Sequence, residues 1–239
     1  MSIPFILDTY VQLLSGLPLT LNLAIFSIAN GAILGVLLAL LRLSPYRPLG
    51  WVSESYLFVF RGTPLLVQIF LIYYGLGQFR PTLQELGLWT FFRSPYWCAI
   101  LALSLNSAAY ASEIIRGGIL SVPSQQIEAG RACGMSRLLL ARRIVLPIAL
   151  RNALPAYTNE CILIVKATSL ASIITLMEVT GIAAKLIAET FRTVEIFLVA
   201  GSMYLAINFI LTRIVMLIEA RLSRHLRDPV EARVPSHAA

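Results

Sequence analysis

"LPLTLNLAIFSIANGAILGVLLALL" covers residues Leu17 to Leu41 and contains no charged side chain. A hydrocarbon layer about 30 Å thick is crossed by about 20 apolar helical residues, so this run is long enough to span one. It lacks the period-2 alternation of a barrel strand, and in lipid only helices or closed barrels satisfy their own backbone groups. The stretch before it holds one charge, Asp8, and no basic residue. No small-residue exit site follows, which favours a retained helix over a cleaved leader. Ser27, Gly31, Gly35 and Ala39 recur every fourth residue, a small-residue face that lets helices approach closely in lipid.

The rest of the chain agrees with that first run. Of 239 residues, 58% are hydrophobic and 13% charged, against about 25% charged in a soluble domain. Four further apolar segments, about 55–79, 96–115, 149–170 and 196–218, accompany the first at 17–41. The expected fold is an all-α integral membrane bundle of five transmembrane helices. Residues 1–16 form an external segment, 17–221 the membrane domain and 222–239 a cytoplasmic tail.

The net charge of +7 is a topology signal. With the N-terminus outside, the cytoplasmic connections hold Arg42, Arg47, the series from Arg116 to Arg151, and Arg221, Arg224, Arg227 and Arg233. The external ones hold only Arg80, Arg93, Lys185 and Arg192. This is the positive-inside distribution, and no nucleic-acid partner is needed to explain it. Cys98, Cys133 and Cys161 have neither metal spacing nor even pairing. The two histidines, His225 and His237, stand near the C-terminus. A catalytic or metal site built on histidine within the apolar part is excluded by inventory.

Polar groups at membrane depth are costly and mark candidate pathways. Arg61 lies in "FRGTPLLVQ", where Gly62 and Pro64 weaken the helix. Asn106 and Glu113 share a face of the third segment with Ala102 and Ala109. Asn159 and Lys166, seven residues apart, share a face of the fourth, with Glu160 turned elsewhere. These six are the candidate pathway residues. Snorkelling of Arg61 and Glu113 at the boundary, or pairing of Lys166 with an acid on another helix, would serve structure alone. Residues 175–195 read as a short amphipathic helix at the outer surface, either a gate, a docking surface or a connector.

Between the third and fourth segments, residues 121–147 form a basic cytoplasmic loop. Pro123 opens a short helix running from Gln125 to Cys133. Gly134 suits a cap of positive φ. Ser136 caps a second helix from Arg137 to Leu146, which Pro147 weakens. Ala129, Ala132 and Cys133 make a small-residue surface flanked by Glu128 and Arg131. Such a surface fits the groove of another protein, or rests on anionic headgroups.

"EAGRACG…IVLP", Glu128 to Pro147, resembles the EAA loop of type I ABC importer permeases. Gly130 departs from the alanine usual at the third position. "FRGTPLLVQIFLIYYGL" and "KATSLASIITLMEVTG" look like the polar amino-acid branch, most of all the M-type subunits of histidine, lysine/arginine and opine uptake systems. The resemblance covers about Leu17 to Arg221. It implies the type I importer transmembrane fold. It implies that Glu128, Ala129, Gly130, Arg131, Ala132 and Gly134 couple to a cytoplasmic ATPase. The chain carries no G-x-x-x-x-G-K-[ST] of its own, so Mg-ATP would be bound by that partner and not by this chain. The implied assembly has two ATP-binding subunits, a second and different permease, and an external binding protein. It would import an amino acid or opine, cationic or polar, across the bacterial inner membrane. A gradient-driven secondary transporter or channel is the rival; it would favour internal inverted repeats, and none is evident.

Overall fold

The computed structural model describes residues 3–222, and the tail beyond Leu222 lies outside them. Helix α1 (Ile3–Leu14) leads into α2 (Leu17–Arg42), which starts on Pro18, tolerated there because a first-turn N–H has no partner to lose. After α3 (Arg47–Gly62) come α4 (Leu65–Phe70), a π turn (Leu71–Gly75), and the short α5 (Arg80–Glu85) and α6 (Trp89–Phe92). Helix α7 (Pro95–Leu120) precedes α8 (Ser124–Ala132) and α9 (Arg137–Leu140). A π turn (Ala141–Val145), α10 (Leu146–Ala167), a 3₁₀ segment (Thr168–Ile174), α11 (Val179–Thr190) and α12 (Thr193–Leu222) complete the order. No strand occurs among the described residues.

Three helices are long and apolar enough to cross a membrane on their own: α2, α7 and residues Thr193–Ile218 of α12. Two bent pairs raise the number to five. The outward faces carry large apolar side chains, such as Ile33 at 72% and Phe58 at 83% exposure, as surfaces meeting acyl chains do.

Helices α2 and α7 run parallel in close contact. Asn22 pairs with Tyr96 near one end and Arg42 with Glu113 near the other. Between them, a Cβ built on Gly31 would lie 2.8 Å from Ser107, and one on Gly35 would lie 2.8 Å from Ala111 Cβ. The four-residue small face is therefore the α2–α7 seam. Helix α10 packs antiparallel to both: Tyr157 donates to Ile28 O at 3.3 Å, and Gly118 meets Ala149 O, which a Cβ would approach to 2.6 Å.

The second crossing differs from the expected single helix over 55–79. It begins earlier, at Arg47, because Pro48 fits a helix start. It then breaks between Gly62 and Leu65 with a bend of 103°. Pro64 is the cause: its ring drives Thr63 out of the helical region, to φ −118° and ψ 144°. The fourth crossing differs in the opposite sense. Pro147 does not end the helix that starts at Arg137. The π turn lets Leu146 N–H reach back five residues to Ala141 O, and this widened turn accommodates the proline ring that would otherwise clash. Residues 137–174 thus form one continuous helical rod.

At the far end of that rod, Thr175 turns the chain through the left-handed region at φ 70°. Glu178 then caps α11. Its buried carboxylate accepts from Gly181 N–H at 2.8 Å, Thr180 N–H at 2.9 Å and Tyr204 O–H at 2.8 Å. Gly16 packs on the backbone of Glu178, and Thr20 Oγ1 accepts from Val179 N–H at 3.2 Å. The amphipathic helix expected within 175–195 is therefore tied to α2 and α12 by buried hydrogen bonds.

Gly35→Val or Gly118→Val should force the seams apart and destabilise the bundle by about 1–3 kcal/mol, the usual cost of overpacking. Gly117→Ala, where no atom lies within 4 Å of the added Cβ, should be neutral. The melting temperature of the purified protein in detergent measures this, and equal values for Gly117 and Gly118 variants would refute the assigned packing.

Candidate functional site

Two regions gather the chemistry: the exposed elbow between α7 and the long rod, and the polar groups set within the bundle.

The elbow is built by a glycine turn. Helix α8 ends in Gly134 at φ +76°. Gly134 N–H bonds Arg131 O at 2.9 Å and Met135 N–H bonds Gly130 O at 3.1 Å, the paired pattern of a Schellman cap. Ser136 Oγ then accepts from Leu139 N–H at 3.4 Å and starts α9. Glu128, Ala129, Arg131, Ala132 and Gly134 are all exposed. Gly130 alone of the six turns inward. A Cβ there would sit 2.5 Å from Leu140 Cδ1 and 3.0 Å from Ile144 Cδ1. The missing methyl therefore lets α8 lie close on the start of the rod. Arg142 and Arg143 are exposed on the rod beside it.

Within the bundle, the six candidate pathway residues separate into two kinds. Asn106 and Glu113 are engaged structurally. Asn106 Nδ2 donates to Gln68 Oε1 at 3.1 Å and to Phe60 O at 3.3 Å. Gln68 Nε2 in turn reaches Phe60 O at 2.9 Å, Thr63 O at 3.1 Å and Thr63 Oγ1 at 2.9 Å. Together with Thr63 O–H on Val59 O at 2.7 Å, the two carboxamides satisfy three carbonyls freed by the break at Pro64. In a low-dielectric surrounding each would otherwise carry a heavy penalty. Glu113 accepts from Arg42, and from Arg116 at 3.0 Å. Arg42 Nε also lies 3.6 Å from Glu54.

Arg61, Asn159 and Lys166 are exposed, and neither Arg61 nor Lys166 forms an ion pair among the described residues. Arg61 lies over the Tyr110 ring, 5.4 Å from its centroid. Asn159 and Lys166 share a face, as their spacing requires. Glu160 points the other way and is 5% exposed. The structure does not bring all six together.

Sequence reasoning missed Gln68, Glu178 and the joining role of Arg42. Gln68 carried a signal: a carboxamide inside an apolar run, four residues past a proline. Arg42 read as a loop charge and Glu178 was not singled out within the amphipathic segment, and only the fold reveals their partners.

Gln68→Leu removes the side-chain donor to Thr63 O and the acceptor of Asn106 Nδ2, leaving Asn106 as the side-chain donor to Phe60 O, and should cost about 1–3 kcal/mol for each group left buried and unpaired. Asn106→Leu should cost less, because Phe60 O keeps Gln68. Thermal denaturation of both variants would show that order; a Gln68→Leu protein as stable as wild type would contradict it.

The sequence profile of the family described as "Binding-protein-dependent transport system inner membrane component" matches residues 31–224. The octopine transport system permease protein OccM of Rhizobium meliloti is 58% identical over 230 residues, covering 95% of this chain and 94% of that protein. The nopaline transport system permease protein NocM of Agrobacterium fabrum is 54% identical, covering 100% and 99%. Among solved structures, an amino acid ABC transporter crystallised with histidines superposes with TM-score 0.80 at 32% identity, over 92% of this chain and 99% of that one.

Proposed function

The chain belongs to the family of binding-protein-dependent transport system inner membrane components, and from that premise we propose that it is the permease subunit of an ABC importer for a polar amino acid or opine. It is a multi-pass inner-membrane protein and a transport component, not an enzyme. The observation that carries the proposal is the α8–Gly134–α9 elbow. It presents Glu128, Ala129, Arg131 and Ala132 outward, with no hydrogen bond at the Glu128 side chain among the described residues, and runs on into a membrane-crossing rod. A cytoplasmic ATPase that grips this surface moves the rod directly. Gly130 positions α8 on the rod and Gly134 sets the angle of the elbow. Mg-ATP is held by two such ATPase subunits. The family match favours this ATP-driven reading over the gradient-driven rival.

Further partners follow from what this chain leaves open. Exposed Arg61, Asn159 and Lys166 at membrane depth require polar surroundings, and a second, different permease chain supplies the other wall of the pathway. An external binding protein delivers the solute. The substrate class rests on the relatives, two of which are named for octopine and nopaline. The N-terminus faces out, by the distribution of arginines.

Glu128→Ala should remove a charge-assisted contact worth about 1.5–3 kcal/mol. ATPase association should weaken, or hydrolysis should proceed without uptake. Gly134→Val should act likewise, since a β-branched residue resists φ +76°. Membrane insertion should survive both. Co-purified ATPase and uptake in proteoliposomes are the readouts; wild-type behaviour in both variants would reduce the elbow to a lipid-resting connector.

Orientation and pathway are checked together by thiol labelling in a chain freed of native cysteines. Glu85→Cys should react with a membrane-impermeant reagent added to intact cells. Asn159→Cys and Lys166→Cys should react with small water-soluble reagents. Protection of position 85 until the cells are broken would invert the topology, and reaction of 159 and 166 only with lipid-soluble reagents would remove them from the pathway.

A further inference from the structure

Between α2, α3 and α7 lies a recess of about 440 Å³, lined by Arg42, Glu54, Phe58, Arg61 and Tyr110 among others. Its size falls within the range of about 300–1,000 Å³ usual for small-molecule sites. Its charges do not cancel. Arg42 stands between Glu54 and Glu113, and Arg116 completes the partners of Glu113. Three guanidinium groups thus face two carboxylates, and the uncompensated charge is Arg61.

Arg61 is also deep. It stands near the end of α3, which starts at Arg47, roughly 21 Å along the helix axis at 1.5 Å per residue. Measured from that start, the distance is more than half of a layer about 30 Å thick. An unpaired guanidinium at such depth needs water or an anion. The Tyr110 ring lies against the guanidinium in a cation–π contact, and the Arg61 fork forms no ion pair among the described residues, so it can take a planar bidentate partner. Position is also fixed from the other side. The Gln68–Asn106 carboxamides hold Phe60 O, the carbonyl of the residue before Arg61. Glu54, with its side chain 55% exposed, offers the opposite charge within the same recess.

We infer that Arg61, set on Tyr110 in this recess, is a carboxylate-binding residue of the translocation pathway, selecting solutes that carry a carboxylate together with a cationic group. The carboxylate is gripped by the Arg61 fork and the ammonium faces Glu54. The inference rests on the permease function above and adds to it the chemical group that this chain itself recognises.

The test uses the complete transporter in proteoliposomes with its external binding protein, and follows labelled arginine and labelled octopine. Arg61→Gln should lower the solute taken up per ATP hydrolysed by about tenfold or more, the factor that one charge-assisted contact supplies. Arg61→Lys, which keeps the charge and loses the fork, should fall between. A second measurement is independent of turnover. Arg61→Cys in a cysteine-free chain should react with a water-soluble thiol reagent, and the transported solute should slow that reaction. Wild-type uptake per ATP in Arg61→Gln, or labelling of position 61 by lipid-soluble reagents alone, would overturn the inference while leaving the permease function standing. If the wild-type complex took up neither solute, the proposed function would be at fault, and labelling at position 61 would still decide whether the recess is aqueous.

Discussion

The close parallel contact of α2 with α7 is the constraint on which the other elements depend. Lipid gives no hydrophobic reward for bringing two apolar helices together, so contact must come from packing. Here Gly31 and Gly35 lie against Ser107 and Ala111 with no room for a methyl group. That seam places Asn106 on the side of α7 that faces the broken crossing, where its carboxamide meets Gln68 and the freed carbonyl of Phe60. It brings the end of α2 beside α7, so that Arg42 reaches Glu113. It also presents Gly118 to Ala149 and Ala153 of the rod. A wider seam would break each of these contacts at once.

A second constraint is that the backbone may not go unpaired. The chain departs from regular helix at several places within its crossings, and three of these departures have a clear local remedy. At Pro64 two carboxamides and a threonine hydroxyl serve the open carbonyls. At Pro147 a widened turn shifts the hydrogen-bond ladder by one residue. At Thr175 the chain reverses into α11, whose first amides are met by the Glu178 carboxylate. Asn106 and Glu178 are thus polar groups spent on structure. Arg61, Asn159 and Lys166 are exposed and have no such partner among the described residues, and that difference separates the two kinds of polar group.

Much of this was legible in the sequence. Long charge-free runs identify spanning helices because the bilayer sets their length, and α2 and α7 begin within a residue or so of the expected positions. The Gly134 turn was legible because only glycine takes its conformation without strain. The second crossing was misread because charges at Arg47 and Glu54 resemble a loop, whereas Pro48 in fact opens a helix there. Pro147 was misread because a proline reads as a stop, and the register shift that rescues it is a property of the whole turn. The partners of Gln68, Arg42 and Glu178 were illegible, since each lies on an element far away in the chain and single-sequence patterns contain no distances between elements.

The unbroken rod over residues 137–174 has a mechanical consequence. At 1.5 Å per residue it is roughly 57 Å long, and it touches α7 most tightly where Gly118 receives Ala149 and Ala153. That contact divides it unequally, with a short arm toward Arg137 and a longer one toward Ile174. A stiff lever with such a fulcrum multiplies motion. A tilt of about 5° moves the tip of the long arm by roughly 3 Å, more than it displaces the driven end. A rod pivoting there would pass a small push at Arg137 to the left-handed turn at Thr175 and the Glu178 anchorage as a larger displacement.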